Sequence, residues 1–353
     1  MKIAIVTDTH FGARNDNQNF NEYFYKFYDN VFFPYLKDNG ITTCVHMGDV
    51  VDRRKFISYR IANDFRKRFI GQFQKDGIDL HIIIGNHDTY YKNTNDVNAM
   101  EELVGQDRFR IYKNPEVVDF DSVPIQFIPL INAGNYDESM AALSRSPAQI
   151  AMGHLEIDGF EMYKGGHRHE GSYNKEMFNR FDIVMSGHFH HKSDDGHVYY
   201  LGTPYEIYWN DWKDPKGFHV FDTETRELER IVNPHTIFEK IYYDDSVSSF
   251  GDNYDMSSYK DKYVKLIVVN KKDMFKFDVF VDKLLKADAY EVKIVEDFSE
   301  LDAENVSDDI VENTEDTMTI LERYIDELDV DLSKPRLKNK MRELYTEAQD
   351  LEL

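Results

Sequence analysis

The chain has 353 residues, of which 41% are hydrophobic and 14% aromatic, enough for one large folded core with one or two smaller units. Its formal net charge of −23 argues against a protein that holds nucleic acid by general phosphate neutralisation. No stretch approaches the ~18 consecutive apolar residues of a membrane span, and MKIAIVTDTH turns polar too soon for a secretory signal, so a soluble, cytoplasmic protein without a membrane partner is expected. Its one cysteine, Cys44, lies in the apolar run ITTCVHM and reads as a small buried hydrophobe in a reducing compartment.

Lys2 to Thr7 reads as a buried strand followed by Asp8, Thr9, His10 and Gly12. Between Asn17 and Asn39, Phe20, Phe24, Phe27, Val31, Phe32, Tyr35 and Leu36 recur at helical spacing and Gly40 stops the helix, a stripe that reads as core rather than as a base-stacking surface. Thr42 to Met47 is a second strand ending in Gly48 and Asp49. A helix follows from about Ser58, its N-cap, to Gln74, with Gly77 beyond it. Asp79 to Ile84 is a third strand, ending in Gly85, Asn86, His87 and Asp88, and the βαβαβ order implies a parallel sheet. Ile111 to Val118 and Val123 to Leu130 read as strands around a turn at Asp121. Gln149 to Met152 leads into Gly153 and His154, and Phe181 to Met185 leads into Gly187, His188, Phe189 and His190. Val198 to Leu201 and Gly217 to Phe221, read as antiparallel strands, finish a first domain at residue 233.

Beyond it, strands at Phe238 to Tyr243, Tyr263 to Asn270 and Tyr290 to Val295 and a helix at Met274 to Lys286 form a small α+β unit, 234–296. From Glu296 to Asp316, ten of 21 residues are Asp or Glu and none is Lys or Arg, so 297–316 reads as an acidic linker. Two short amphipathic helices close the chain at 317–353. Leu321, Tyr324, Ile325 and Leu328 line the first, and Leu337, Met341, Leu344 and Tyr345 the second. Helices of that length are marginal alone in water, so they need a surface, and a partner is favoured over their own chain.

The polar residues at the five strand tips form one set: Asp8, His10, Asp49, Asn86, His154, His188 and His190, with His87 beside them. Carboxylates, an amide and imidazoles suit a pair of first-row divalent ions rather than thiolate-bound zinc. Seven donors suffice for two ions if one carboxylate bridges, and Asp49 on the central strand is the natural bridge. Two ions some 3.5 to 4 Å apart, the typical spacing, serve hydrolysis at phosphorus.

In this order the motifs D-x-H (Asp8, His10), G-D-x-x-D (Gly48 to Asp52), G-N-H-D (Gly85 to Asp88), G-H (Gly153, His154) and G-H-x-H (Gly187 to His190) resemble the calcineurin-like metallophosphoesterases. The resemblance implies a four-layer αββα core with one ion on Asp8, His10, Asp49 and His190 and another on Asp49, Asn86, His154 and His188. His87 would face the scissile phosphate, with Asp52 or Asp88 holding its tautomer. Over nearly the whole chain, through ITTCVHMGDVVDRRK, DLHIIIGNHDTYYKN, YLGTPY and DPKGFHVFDTET, it is further similar to SbcD-type nuclease subunits of double-strand-break processing complexes, and most to their T-even phage branch. That implies DNA as substrate, Mn²⁺ ahead of Mg²⁺, and a DNA-capping role for 234–296. It also implies C-terminal helices that bind an SbcC-type, SMC-like coiled-coil ATPase, in a homodimer within a heterotetramer. Many cellular members carry a histidine where this chain has Asp52.

A local basic rim would reconcile DNA with the acidic whole: Arg53, Arg54 and Lys55 after the Asp49 tip, and Lys164 and Arg168 in KGGHRH. Arg66 to Arg68 reads as a solvated face. Two rivals stand beside the nuclease. GDVVDRR is close to the protein-phosphatase pattern, and a metal-binding scaffold without catalysis is the alternative of another class.

Overall fold

The computed structural model describes residues 1–104, 109–165, 168–169, 173–246, 250 and 254–296, and beyond these Ile325, Lys334, Leu337 and Lys340. Its strands are β1 (Lys2–Val6), β2 (Thr43–His46), β3 (Asp79–Ile83), β4 (Phe109–Tyr112), β5 (Glu116–Phe120), β6 (Val123–Ile128), β7 (Ile150–His154), β8 (Ile183–Gly187), β9 (Ser193–Asp194), β10 (Val198–Tyr200), β11 (Gly217–Asp222), β12 (Leu228–Val232), β13 (Phe238–Asp244), β14 (Tyr263–Asn270) and β15 (Glu291–Val295). Two six-stranded sheets, ordered β12-β11-β1-β2-β3-β4 and β5-β6-β7-β8-β10-β9, stack face to face, and β13-β14-β15 form a third.

Period-two side chains set the layers. In β1, Ile3 and Ile5 join Val45, Met47, Ile83, Phe127, Ile150 and Met152 between the sheets. Ala4 and Val6 point the other way, joining Cys44, Leu80 and Ile82 against the helices. Those helices occupy residues 18–38 and 59–76, each interrupted by a π-helical turn, at Tyr28–Phe32 and Phe65–Ile70. The Asn17 side chain caps the first through the amides of Asn19 and Phe20, and Ser58 caps the second through Ile61. Phe20, Phe24, Phe27 and Phe32 are all buried, so the aromatic stripe is core; each such ring contributes roughly 1.5 to 3 kcal/mol by leaving water. Cys44 is fully buried, which pushes its thiol well above the ordinary value. The helix Tyr136–Arg145 covers the outer face of the second sheet through Leu143, completing the αββα layering that the motifs imply.

Two expectations of strand layout are corrected. The run from Ile111 to Val118 is not one strand: it breaks at residues 113–115, leaving β4 in the first sheet and β5 in the second. Pro115 has no N–H to give a ladder. Val198–Tyr200 is antiparallel to β9 as expected but parallel to β8, because the very short β9 reverses the chain between them; β11 is antiparallel to both β1 and β12.

The third sheet is parallel throughout, with helix Met274–Leu285 crossing between β14 and β15 and Asp273 capping it. It has its own apolar cluster, including Tyr243, Leu266, Phe277, Phe280 and Leu284. It meets the first helical layer where Tyr263 and Phe238 pack on Phe20 at 5.1 and 5.7 Å, and Phe238 also packs on Trp209, in the turn before β11, at 4.5 Å. Buried Glu206 accepts from the amides of Ile237 and Phe238 at 2.7 and 2.9 Å, which anchors the entry to β13.

The acidic linker lies outside the described residues, as do Leu321, Tyr324, Leu328, Met341, Leu344 and Tyr345. Ile325 and Leu337 are described, in helical conformation; Leu337 is half-buried and Ile325 is 1% exposed. No helix among the described residues is long and apolar enough to cross a membrane.

Candidate metal centre

The strand ends of both sheets open onto one point. Asp8 and His10 follow β1, Asp49 follows β2, Asn86 and His87 follow β3, His154 ends β7, and His188 and His190 follow β8. Asp8, His10, Asp49 and His188 all have positive φ, between 44° and 88°, a region that non-glycine residues adopt at a cost. Such strain at four adjacent donors marks a functional site. Gly85 and Gly187 allow the approach, because a Cβ at Gly85 would collide with Asp49 Oδ1 and one at Gly187 with Thr7 Oγ1.

Two donor groups form, Asp8 with His10 and His190, and Asp49 with His154 and His188, each with its ligand atoms within 4.8 Å of one another. His10 Nε2 faces His190 Nε2 at 3.1 Å. His154 Nδ1 donates to the Met47 carbonyl at 2.9 Å, so Nε2 is turned inward, 2.8 Å from Asn86 Oδ1 and 3.3 Å from Asp49 Oδ2. His188 Nδ1 lies 3.0 Å from the same Asn86 oxygen. The other Asp49 contact, Oδ2 to His10 Nε2, is 3.9 Å, which places this carboxylate between the two groups.

The electrostatics match a cation site. Burial, reinforced by the neighbouring His87, holds His10 well below the ordinary imidazole range. Burial and His154 lower His188 to about 3. Burial disfavours the charged form of His154, but Asp49 outweighs it and raises the imidazole to about 10. Burial alone would raise Asp49; His154 and His87 bring it well below the usual carboxylate value. Asp8 is raised by its burial. The His10 and His188 imidazoles, held neutral beside the Asp8 and Asp49 carboxylates and the Asn86 amide, are the donor chemistry that divalent ions take, and His154 would join them by giving up its proton, so the residues present fit such ions.

The orienting roles expected of Asp52 and Asp88 are corrected. His87 Nδ1 donates to the Asp52 backbone carbonyl at 2.5 Å, so neither carboxylate holds the ring. The Asp52 carboxylate instead lies 3.6 Å from His10 Nδ1. Asp88 accepts from the amides of Gly85, Asp49, Val50 and Val51 at 2.8 to 3.2 Å and so ties two ligand loops together. Its burial and the nearby Asp49 push its carboxyl up to about 7. His87 is half-buried, edge-on to His10 at 4.8 Å, and its amide donates to Asp49 Oδ1. A third donor grouping, His10, Asp49 and His87, shares this space.

The expected basic rim is less free than its sequence implies. Arg54 turns inward, donating to the Asn86 carbonyl at 2.6 Å and to Thr89 Oγ1 at 3.4 Å. Arg53 pairs with Asp16 and lies 4.3 Å above Phe56. Lys164 donates to the Lys213 carbonyl, while Lys55 and Arg168 are exposed. Arg68 is paired with Glu22 and Asp29, which makes it the solvated face expected.

Sequence reading missed several supports. Thr7 Oγ1 donates to Asp8 at 2.6 Å, His46 Nε2 meets Thr9 Oγ1 at 3.0 Å, and Tyr205 donates to the Thr9 carbonyl at 2.6 Å. Thr7 and His46 sit one to three residues from a ligand and carry that faint signal; Tyr205 carries none.

The profile of the calcineurin-like phosphoesterases matches residues 1–192. Exonuclease subunit 1 of Enterobacteria phage T4 is 32% identical over 353 residues, 99% of each chain. Among solved structures, a novel archaeal phosphodiesterase is 13% identical, with 66% of this chain and 100% of that one covered at a TM-score of 0.33. GAP50, the anchor in the inner membrane complex of Plasmodium, is 13% identical, with 67% and 90% covered at 0.35.

Proposed function

Because the chain belongs to the calcineurin-like phosphoesterases, we propose that it is a DNA nuclease that hydrolyses phosphodiester bonds with two divalent ions. The observation that carries this is the meeting of seven N and O donors from five strand ends, with a half-exposed His87 beside them. Asp8, His10, Asp49 and His190 would hold one ion and Asp49, Asn86, His154 and His188 the other. When bound, the pair supplies a hydroxide at neutral pH and neutralises charge on the phosphoryl oxygens. The mixed imidazole and carboxylate set favours Mn²⁺ over the harder Mg²⁺.

The chain's own residues do the rest. With Nδ1 donating to the Asp52 carbonyl, His87 keeps Nε2 free of that bond, and when the ring also carries a proton on Nε2 that proton can pass to the leaving oxygen, leaving the ring neutral with its Nδ1 bond intact. Asp88 fixes the relative position of the Asp49 and Asn86 loops, and Arg54 fixes the Asn86 carbonyl. DNA as the substrate is supported by the likeness to the T4 exonuclease subunit along the whole chain.

The same likeness supports a division into a nuclease domain, 1–233, a DNA-capping unit, 234–296, an acidic linker, 297–316, and ATPase-binding helices, 317–353. An SMC-like coiled-coil ATPase is the partner, and the pair assembles as a dimer of heterodimers. Deleting 317–353 abolishes co-purification with the ATPase and spares metal-dependent cleavage of a small diester; retained association refutes the helices' role.

Mn²⁺-dependent turnover of linear double-stranded DNA, set against turnover of a phosphomonoester with the ATPase present, tests the activity. The nuclease reading predicts DNA cleavage that is abolished by chelation and by His87→Ala. Preference for the monoester would establish a phosphatase, and turnover of neither substrate a scaffold.

A further inference from the structure

A buried cation stands behind the ligand loop. Lys216, immediately before β11, is 3% exposed at its side chain. Its ammonium donates to the His190 carbonyl at 2.8 Å and pairs with Asp211 at 2.5 Å and Asp214 at 3.0 Å. An ammonium so far from water is stable only with such partners. The carboxylates are themselves engaged. Asp211 Oδ2 accepts from the amides of Ile207 and Tyr208 at 2.8 and 2.9 Å, and Asp214 Oδ2 lies 3.0 Å from His191 Nδ1.

This network reaches the ligands at one point. The segment from His188 to His190 is pinned at its start by Asp8, which accepts from the His188 amide at 3.1 Å. At its end the His190 carbonyl accepts from both Lys216 and the Thr203 amide, the latter at 3.1 Å. Gly202, at φ 74°, has no room for a Cβ against that carbonyl. On its other side the His190 ring lies nearly parallel to Tyr208, centroids 6.0 Å apart, and the Tyr208 amide is held by Asp211. Backbone and ring of His190 are thus fixed by one cluster of charges.

We propose that Lys216 is a positioning residue of the metal centre: its ammonium, held by Asp211 and Asp214, sets the His190 carbonyl and so the direction in which His190 Nε2 faces Asp8 and His10. The inference rests on the metal-centre reading above. Partners that orient a ligand from behind typically govern metal affinity by about 10- to 100-fold. Among the ligand residues Lys216 donates to His190, so the ion that His190 would hold is the one affected.

The test is calorimetric titration of the full chain with Mn²⁺ alone. Fewer than two ions per wild-type chain at saturation would defeat the metal-centre reading itself. Given two, the informative variant is Lys216→Met with Asp214→Asn, which removes one positive and one negative charge and leaves the formal charge of the cluster unchanged. It is expected to bind one ion about 10- to 100-fold more weakly and the other as wild type does, with an unaltered circular dichroism spectrum. Wild-type affinity for both ions overturns the proposal, and so does equal weakening of both, which would mark a merely structural role. Should that variant fail to fold, Asp214→Asn alone is titrated: selective loss of affinity for one ion supports the proposal, and unchanged affinity overturns it.

Discussion

The strand-tip cluster and the basic rim lie side by side in sequence, yet they are built by opposite logic. At the tips, Asp8, His10, Asp49, His154 and Asn86 are buried and every contact points inward, several of them on strained backbone. On the rim, charges that read as outward-facing are spent on neighbours: Arg53 on Asp16, Arg54 on the Asn86 carbonyl and Lys164 on the Lys213 carbonyl. The lesson is that a donor set fixed by strand ends is robust to surroundings, whereas a surface charge takes whatever partner packing places within reach.

The largest effect expected from breaking this contrast is at its centre. Asp49→Ala removes the carboxylate between the two donor groups. Metal analysis should show both ions weakened, and DNA hydrolysis should fall by at least on the order of 10³-fold. Next comes His87→Ala. It should retain both ions and lose about 10²- to 10⁴-fold in turnover, read as kcat against KM on a small diester. Loss of an ion in that variant would mean that His87 is a ligand.

Arg54 and Lys55 sharpen the contrast at the rim. Arg54→Ala should loosen the Asn86 loop and weaken Mn²⁺ binding about 10-fold, as supports behind a ligand do. Lys55→Ala should leave the ions alone and lower the salt slope of DNA binding by about 1 if it meets a phosphate. Reversed results would return Arg54 to the DNA surface.

The smallest effect lies at the seam with the third sheet. Burial raises the Glu206 carboxyl to about 7, above its unfolded value, so its contribution is full under acid conditions and is lost as pH rises through about 7. Compared with Glu206→Gln, the wild-type unfolding midpoint should drop by about a few degrees across that window in calorimetry. Parallel pH profiles would contradict the assignment.

The parts legible from sequence share a physical cause. Apolar runs ending in Gly and a polar residue announced β2, β3, β7 and β8, and a run ending in Thr7 and Asp8 announced β1, because strand burial and the turn after it are local properties. The helical stripe from Phe20 to Leu36 was equally local. What stayed hidden depends on tertiary approach. That Asp88 would bind four amides instead of His87 follows from how two loops meet, and that Lys216 would lie behind His190 follows from the pairing of β11 with β1. The break at residues 113–115 was signalled by Pro115, but only the second sheet shows where the chain then goes.

The central claim is a pair of ions sharing Asp49. Electron paramagnetic resonance of the full chain titrated with Mn²⁺ addresses it directly: the account predicts two ions per chain with exchange-coupled signals, reduced to a single uncoupled ion by Asn86→Ala, whereas saturation at one ion, or two ions without coupling, would contradict it.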